Sequence, residues 1–449
     1  MTADRSQANV LVDLNRTEHM FWATEGYIGG IIQPYLLRLE GHVDEARVRR
    51  ALRELTSAHP RLRGVIVPTG TTYKLRILPD DRLIDQLVEG AFKVDHGVDL
   101  DDPTQVQAWH TRVLNEPIQL ERGLPWKARW IAHPTRPALI FALHHIVGDG
   151  RSLIGMITDI LGHLSDQPIA QRSLQATSMV PSFVPKSLAA WPASIAGWWR
   201  NSKKDQAIKA GAEVITLATR RSTHFTTSTI RHHLFPCTPA QVKALSKQMG
   251  TTVNTLLTAV IANTFLAQAQ GKPGATAGIR ISFDLRRHFP EGTAPEVGNF
   301  VSSFAVYARP QPDLKAQIAA IDAQVKDNIA RYERREYALP LLLFEALPLL
   351  GRRLFSKLIL NAKEKGKIPP MSCHFSNLGM AEAIQPKDAK VRIAEVWPVS
   401  MGTTPVFGLV TLGDKVLMAC TTQDDETDVA DVEAFLHALD GQLRQLIAA

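Results

Sequence analysis

The chain has 449 residues, of which 45% are hydrophobic and 21% charged, a balance that indicates a folded protein and excludes a disordered or fibrous one. This length predicts two or three domains, and we expect two large lobes. The formal net charge of +7 is mild for this length and comes without a nucleic-acid motif, so nucleic-acid binding is not expected.

The cysteines and the apolar runs bear on cellular location. Cys237, Cys373 and Cys420 lack CxxC spacing, so the sequence supports neither a disulfide framework nor a zinc site, and a reducing, cytoplasmic location is expected. The first residues have no apolar core of the kind a signal peptide needs. Residues 338–351 (ALPLLLFEALPLLG) are interrupted by prolines and Glu345 and are shorter than the ~20 residues of a membrane span. No transmembrane helix is expected.

The first half of the chain alternates helices and strands. Residues 43–59 have apolar side chains at helical spacing, which predicts an amphipathic helix that ends at Pro60. Residues 61–78 follow as two β-rich stretches around a Gly-Thr turn. Residues 138–146 (ALIFALHHI) are too short and too continuous for an exposed helix, so they predict a buried strand, and the apolar stripe from Leu153 predicts the next helix.

The second half begins after a change in amino-acid composition. Residues 165–215 are polar and rich in proline and then in tryptophan, and we expect the crossing between the lobes here. The elements predicted beyond it are a strand at 226–236, a helix at 239–270, strands at 278–287 and 297–309, a helix at 313–333, strands near 372–378 and 405–420, and a closing helix from Val429.

The segment HHIVGDG (144–150) ends the predicted strand of the first half. Alternate residues of a strand share a face, so His144 and His145 point in opposite directions and cannot do the same job. A neutral imidazole at a strand end accepts a proton near physiological pH. A buried carboxylate needs a cation, so we expect an arginine to brace Asp149, while Gly150 allows a backbone geometry that a Cβ forbids. The alternative is a packed pair of core histidines, which is our interpretation of the pair at 232–233.

Other chemistries lack their signals in this chain. GxSxG, HExxH, GxxxxGK[ST] and GxGxxG are all absent, which argues against serine hydrolases, zincins, P-loop enzymes and dinucleotide binders. The opposite faces of His144 and His145 make joint metal ligation awkward. We therefore expect no metal and no bound cofactor.

HHIVGDG resembles the HHxxxDG signature of the CoA-dependent acyltransferase superfamily. This superfamily includes chloramphenicol acetyltransferase, peptide condensation domains, polyketide-associated acyltransferases and wax ester synthase/diacylglycerol acyltransferases. Further similarities follow in the family's order and extend over about residues 15–440. They are VDEARVRRALRELTSAHPRLR (43–63), GLPWKARW (123–130), GTTVNTLLTAVIA (250–262), ISFDLRRHF (281–289), VGNFVSSF (297–304) and HFSNLG (374–379).

The resemblance implies an α/β fold of two chloramphenicol-acetyltransferase-like lobes with mixed sheets and an active-site tunnel between them. The corresponding domains are a first lobe at residues 1–175 that carries the motif, a crossing segment at 176–215, and a second lobe at 216–449.

The resemblance also implies roles for the residues of the motif. His145 is expected to be the general base and Asp149 a salt-bridged brace, while His144 and Gly150 support the loop. Arg286 is the first candidate for the partner of Asp149.

Other residues are expected to contact substrate or to replace Arg286. Arg280 is the second candidate partner of Asp149. Asn299, Ser376 and Asn377 are candidates to donate hydrogen bonds to the oxyanion or to orient a ligand. For the Ser-Asn pair at 376–377, a simple turn is the alternative.

The implied activity is direct transfer of an acyl group from a CoA or carrier-protein thioester to a hydroxyl acceptor, which forms an ester without a covalent acyl-enzyme. The chain lacks DFGWG, HQDYPFE and RDxSRNP, which favours stand-alone polyketide-associated or alcohol acyltransferases over other branches. Two alternatives remain open: an amide-forming condensation enzyme with carrier-bound substrates, and a non-catalytic relative that binds a carrier protein or lipid.

Two segments bear on the substrate. Residues 183–204 and 338–367 each join apolar or aromatic side chains to a basic end, a pattern typical of an interfacial helix or a hydrophobic tunnel wall. Ordinary core helices with solvated ends are the alternative. The first interpretation predicts a lipid-like substrate and peripheral contact with a membrane.

Overall fold

A computed structural model describes residues 10–25, 31–175, 177–220, 222, 227–269, 271–365, 367–368 and 370–448. The strands within these residues are β1 Leu11–Asp13, β2 Ile32–Glu40, β3 Gly64–Thr69, β4 Thr72–Ile77, β5 Phe92–Val94, β6 Trp126–Ile131, β7 Ala138–His144, β8 Glu213–Val214, β9 Ser228–Leu234, β10 Ala275–Asp284, β11 Val301–Ala308, β12 Cys373–Met380, β13 Arg392–Pro398, β14 Val406–Leu412 and β15 Lys415–Gln423. The helices are α1 Arg16–Thr24, α2 Glu45–Ala58, α3 Arg82–Ala91, α4 Pro103–Asn115, α5 Gly150–Leu164, α6 Val180–Phe183, α7 Trp191–Lys209, α8 Pro239–Gln248, α9 Val253–Gln268, α10 Leu314–Glu333, α11 Ala338–Ala346, α12 Arg352–Glu364 and α13 Val429–Ala448.

The first sheet has five strands in the order β13-β2-β7-β6-β5. Its central strand β7 is buried at every residue, which explains why its sequence is continuously apolar. Helices α2 and α5 pack against each other, and their apolar stripes join the same core as this sheet. A separate three-stranded sheet, β1-β4-β3, extends this half.

The second sheet runs β11-β10-β12-β14-β15-β9, and β8 pairs with β10. It is mixed, because β12 is parallel to both β10 and β14 whereas the other pairs along this order are antiparallel. Helices α9, α10 and α13 share a second hydrophobic core with this sheet. The predicted α/β architecture of two lobes with mixed sheets is therefore confirmed.

The two halves exchange structure through β13. This strand falls inside the range 216–449 assigned to the second lobe, yet it pairs with β2 at the edge of the first sheet. The chain then returns to the second sheet as β14. Helix α4 of the first half in turn packs against β9 of the second half. Consequently the loop between β13 and β14 lies where both halves meet.

Most elements predicted from the sequence lie where expected, but the helix predicted at 239–270 is wrong. It is two helices, α8 and α9, which meet at a bend of 90°. Gly250 between them has φ +65°, a left-handed conformation that favours glycine, and the Thr252 side chain caps the second helix at Thr255 N. The predicted strand near 405–420 is likewise a hairpin of two strands, β14 and β15.

Two other expectations concern cysteines and membrane spans. Cys237, Cys373 and Cys420 are buried free thiols. Among the helices that the structure describes, no single one has the length and apolarity to cross a bilayer, and only the bent pair α8–α9 reaches those values together.

Candidate active site

The site is built where β7 ends. The strand stops at His144, a tight loop follows, and α5 begins at Gly150 with Asp149 as its N-cap. The backbone N–H of His145 still donates to Ile31 O at 3.0 Å, so the second histidine stays attached to the sheet. The predicted succession of strand, loop and helix is confirmed.

Asp149 and Arg286 form a buried ion pair. Arg286 Nη1 donates to Asp149 Oδ2 at 2.8 Å and Nη2 donates to Oδ1 at 3.2 Å, and each side chain is 5% exposed. Asp149 also accepts from the backbone N–H groups of Ser152 at 3.0 Å and Phe300 at 2.9 Å. The carboxylate thus joins α5 to the loop before β11, which fixes the position of the loop that carries His145.

Arg286 also donates to backbone carbonyls. Nε donates to Pro295 O at 2.7 Å and Nη2 donates to Gly298 O at 3.0 Å. The guanidinium also lies over the Phe300 ring, 4.9 Å from its centroid. Arg280, the second candidate partner of Asp149, lies on β10 in register with His374 of β12.

His144 is fully buried and, because alternate residues of a strand face opposite sides, it points away from His145. Its Nδ1 accepts from the backbone N–H of Ile146 at 3.1 Å, so the ring proton is on Nε2, which lies 3.1 Å from Glu25 Oε1. Both ring nitrogens are engaged. His144 therefore supports the turn.

His145 faces the opposite way and contacts both halves of the chain. Nε2 lies 3.2 Å from Ser400 Oγ in the loop between β13 and β14. Nδ1 lies 3.2 Å from Asn299 Nδ2, which also donates to His145 O at 2.9 Å. The Phe21 ring lies 4.7 Å from the imidazole centroid. His145 is 8% exposed whereas His144 is 0% exposed, so the second histidine keeps a limited approach from solvent.

The environment of His145 keeps it uncharged. Burial lowers the pKa of His145 to about 3; the charge of Asp149 and the Gly148 carbonyl raise it, and His144 lowers it. The imidazole is therefore neutral at physiological pH and is able to accept a proton.

A second buried ion pair holds the same loops from behind. Arg61 Nη2 donates to Glu18 Oε1 at 2.6 Å and to Ile146 O at 3.0 Å. Glu18 Oε1 also accepts from the backbone N–H of Asn299 at 3.3 Å, and Asn15 Nδ2 donates to Asn299 O at 2.8 Å. The start of helix α1 and the turn after α2 thus hold the backbone of Ile146 and of Asn299, which both adjoin His145.

The glycines of the motif lie against packed groups. A Cβ on Gly148 would come 2.9 Å from Ser152 Cβ, and a Cβ on Gly150 would come 3.2 Å from Tyr35 Oη. The φ angles are not left-handed at these positions. The requirement for glycine is therefore one of space.

The three candidate oxyanion donors have different positions in the structure. Asn299 is buried against His145, with its amide nitrogen directed at the ring and the carbonyl, which fits a positioning role. Asn377 Oδ1 accepts from Gly379 N at 2.9 Å, which is the turn that we considered as the alternative. Ser376 lies on β12, two residues beyond His374 and on the same face of the sheet.

Two polar side chains of the site were not singled out from the sequence. Ser400 is 255 residues from His145, and no motif marks the loop that carries it. The other is His374 on β12, whose Nε2 lies 2.7 Å from Ser282 Oγ. Only its place at the start of HFSNLG was a signal.

Comparison with solved structures defines the class of fold. The first condensation domain of the CDA synthetase has a TM-score of 0.70 at 15% identity and covers 98% of this chain and 96% of that one. The trichothecene 15-O-acetyltransferase TRI3 of Fusarium sporotrichioides has a TM-score of 0.66 at 11% identity, with 97% and 94% covered. Polyketide synthase associated protein 5 of Mycobacterium tuberculosis has a TM-score of 0.64 at 12% identity, with 98% of each chain covered. The chain thus has the fold shared by condensation domains and these proteins.

A family model described as a condensation domain matches residues 28–345. The chain belongs to the condensation-domain family. Malpinin synthetase of Mortierella alpina is 29% identical over 138 residues, which are 30% of this chain and 2% of that protein. Chondramide synthase of Chondromyces crocatus is 29% identical over 124 residues, which are 27% of this chain and 3% of that protein. The chain therefore spans a few per cent of the length of these curated relatives.

Proposed function

We propose that the protein transfers an acyl group from a thioester to a hydroxyl acceptor, with His145 as the general base. The observation that carries the proposal is a neutral imidazole, clamped between the two halves of the chain, whose Nε2 faces a hydroxyl oxygen at 3.2 Å. Membership in the condensation-domain family supports acyl transfer as the class of reaction.

The proposed step is direct attack. The Gly148 carbonyl favours the tautomer with the proton on Nδ1, in which Asn299 Nδ2 donates to His145 O and only contacts Nδ1. The acceptor hydroxyl takes the place of Ser400 Oγ beside Nε2 and gives its proton to the Nε2 lone pair. The acceptor oxygen forms the new bond to the thioester carbon, and the thiolate leaves and is protonated. General-base assistance of this kind contributes roughly 10²- to 10⁴-fold in rate.

The contact between Ser400 and His145 supports a hydroxyl acceptor. Ser400 Oγ lies within hydrogen-bonding distance of Nε2, so an oxygen of this kind fits the space beside the base. For the tetrahedral oxyanion, Ser376 is the proposed donor, because it lies on the face of β12 that also presents His374.

The donor is a second part of the proposal. We propose an acyl-CoA or a carrier-protein thioester, and the synthetase relatives support the carrier. An amide-forming condensation enzyme is the second candidate function, supported by the same relatives and by the condensation-domain family model.

A thiol-release assay with purified protein separates these candidates. Matched acyl groups are offered on CoA and on a carrier protein, each with a panel of alcohols and amines. Faster release with alcohols supports ester formation. Release only with amines and a carrier donor contradicts the ester proposal and supports condensation, and absence of release with every pair contradicts acyl transfer.

We also propose that the segment from α11 to α12 makes peripheral contact with an anionic membrane. Large exposed apolar side chains concentrate here: seven of the fourteen found among the described residues lie between positions 343 and 368. The seven are Leu343, Phe344, Leu349, Leu350, Leu354, Leu358 and Ile368. A patch of this kind on a protein surface marks an interaction site.

The basic residues of α12 favour an anionic lipid surface as the partner of this apolar patch. Arg353 and Lys357 are exposed beside Leu354 and Leu358, and no described carboxylate pairs with either cation. Leucines next to basic residues on one helix favour the surface of an anionic bilayer. Helix α12 is also connected to the candidate site. Its Ser356 Oγ donates to Ala23 O on α1, and α1 carries Phe21, whose ring lies against His145.

Vesicle co-sedimentation tests this contact. Binding to vesicles that contain anionic lipid is expected to exceed binding to neutral vesicles. The double variant R353E/K357E is expected to lose at least ~2 kcal/mol, or about thirtyfold in partitioning, because it removes two positive charges and adds two negative ones. The control K243E/K247E carries the same changes on the exposed face of α8 and is expected to bind normally. Equal binding of both variants, or indifference to anionic lipid, contradicts the proposal.

A further inference from the structure

The second sheet has a polar face turned towards the candidate base. Along β10, buried Ile279 and Ile281 alternate with partly exposed Arg280 and Ser282. His374 on β12 is the in-register partner of Arg280, so the two side chains lie on the same face. The opposite face carries the apolar core beneath the helices.

Three side chains form a row that leads from this face to the base. His374 Nε2 lies 2.7 Å from Ser282 Oγ. Ser282 is two residues beyond Arg280 on β10, so both side chains lie on the same face. Burial lowers the pKa of His374 to about 3, and the proximity of Arg280 and of the His145 imidazole lowers it further. The backbone N–H of His374 donates to Pro405 O at 2.7 Å, at the end of the loop whose Ser400 contacts His145, so the row runs from Arg280 through His374 towards His145.

At the end of the row the two halves of the chain are in contact. Leu378, further along β12, lies close to Gly150 at the start of α5. Asp284, at the end of β10, accepts from Arg151 on the same helix at 2.7 Å. The ends of β10 and β12 thus lie against the start of α5, next to the loop that carries His145.

Arg280 is the charged member of this row, and no described carboxylate forms an ion pair with it. Arg286 and Arg331, which are also buried, each have carboxylate partners at 2.8 to 2.9 Å. Burial lowers the pKa of Arg280, and the Tyr307 phenol raises it. A partly buried guanidinium gains most from a charge-assisted hydrogen bond to an anion, and here such a bond would displace no protein carboxylate.

We propose that Arg280 binds a carboxylate on the acyl acceptor, so that the acceptor is a hydroxy carboxylic acid. The inference rests on the proposed function for the position of the hydroxyl, but the anion site itself stands on the geometry of Arg280. The phosphates of CoA lie at the far end of the pantetheine arm from the thioester. Arg280 lies beside His374 in the row that leads towards the base, which favours an anion close to the reacting atoms.

Equilibrium binding tests the site without requiring turnover. The probes are 3-hydroxyoctanoate, its methyl ester and octyl phosphate, titrated against the full chain and followed calorimetrically. The wild-type protein is expected to bind the hydroxy acid about tenfold to a hundredfold more tightly than its methyl ester, the range of one charge-assisted hydrogen bond. R280M abolishes the preference, and R280K keeps part of it.

The matched control is R287M, which removes an exposed arginine seven residues further along the chain and is expected to keep the preference. An equal preference in R280M and in the wild type overturns the proposal. Tighter binding of octyl phosphate than of the hydroxy acid overturns the carboxylate assignment. A carboxylate preference lost in R280M, in a protein that transfers no acyl group, supports the anion site and contradicts only the proposed function.

Discussion

Removal of Asp149 is the perturbation whose consequence the structure defines best. The D149A variant leaves Arg286, whose side chain is 5% exposed, without its buried carboxylate. The variant also loses the N-cap contact to Ser152 and the acceptor of Phe300 N–H. Breaking one partner of a buried pair costs about 3–5 kcal/mol, and the loss of the helix cap adds ~1 kcal/mol.

Urea unfolding measures this loss, and D284A is the matched control. Asp284 also accepts from Arg286 Nη1, at 3.3 Å, but its side chain is 26% exposed, so its removal is expected to cost about 1 kcal/mol or less. In D149A we expect turnover to fall with stability, because a displacement of His145 by about 1 Å costs on the order of 10²-fold.

The double variant D149A/R286M tests whether Asp149 stabilises the fold through its ion pair with Arg286 or through other contacts. Because it removes the stranded charge together with its partner, its loss of stability is expected to be smaller than the sum of the single losses by about 1–3 kcal/mol. Equal effects of D149A and D284A, or strict additivity in the double variant, would refute the brace.

Three further predictions concern the same loop. Burial lowers the pKa of His145 to about 3, so kcat/KM is expected to lack an acid limb near pH 6.5. The same lowered pKa makes native stability decline as the pH falls from ~6.5 towards that value. An acid limb of kcat/KM at ~6.5 would contradict the buried base. N299A removes the amide beside Nδ1, so kcat is expected to fall by about 10-fold or more with little change in KM, whereas a pure KM effect would point to substrate binding. G148A is expected to destabilise the protein by about 1–3 kcal/mol because its Cβ would collide with Ser152. The control G155A, on α5, has open space at its Cβ and is expected to be neutral or stabilising. Equal effects of the two variants in urea unfolding would contradict the close packing at Gly148.

The parts of the site that the sequence predicts are those that are local in the chain. His144, His145, Asp149 and Gly150 lie within one loop, and strand alternation alone assigns the two histidines to opposite sides. The need of Asp149 for a cation also follows from physical chemistry. Its identity as Arg286 came from the resemblance, because 137 residues separate the two side chains.

The rest depends on long-range pairing that no local pattern encodes. Ser400 reaches His145 only because β13 crosses to the first sheet before the chain returns as β14. His374 joins Arg280 on one face of the second sheet because of the register between β10 and β12. The bend between α8 and α9 was missed even though Gly250 signals it, because both flanking segments are apolar at helical spacing.

The central claim is that the imidazole of His145 takes the acceptor's proton, and single-turnover thiol release from an acyl thioester in the presence of an alcohol tests it most directly. H145Q keeps a side chain of similar size, and the control H437A changes an exposed histidine on α13. With circular dichroism spectra matching the wild type, H145Q is predicted to lose at least about 10²-fold in rate while H437A keeps the wild-type rate. Wild-type release by folded H145Q would contradict the account.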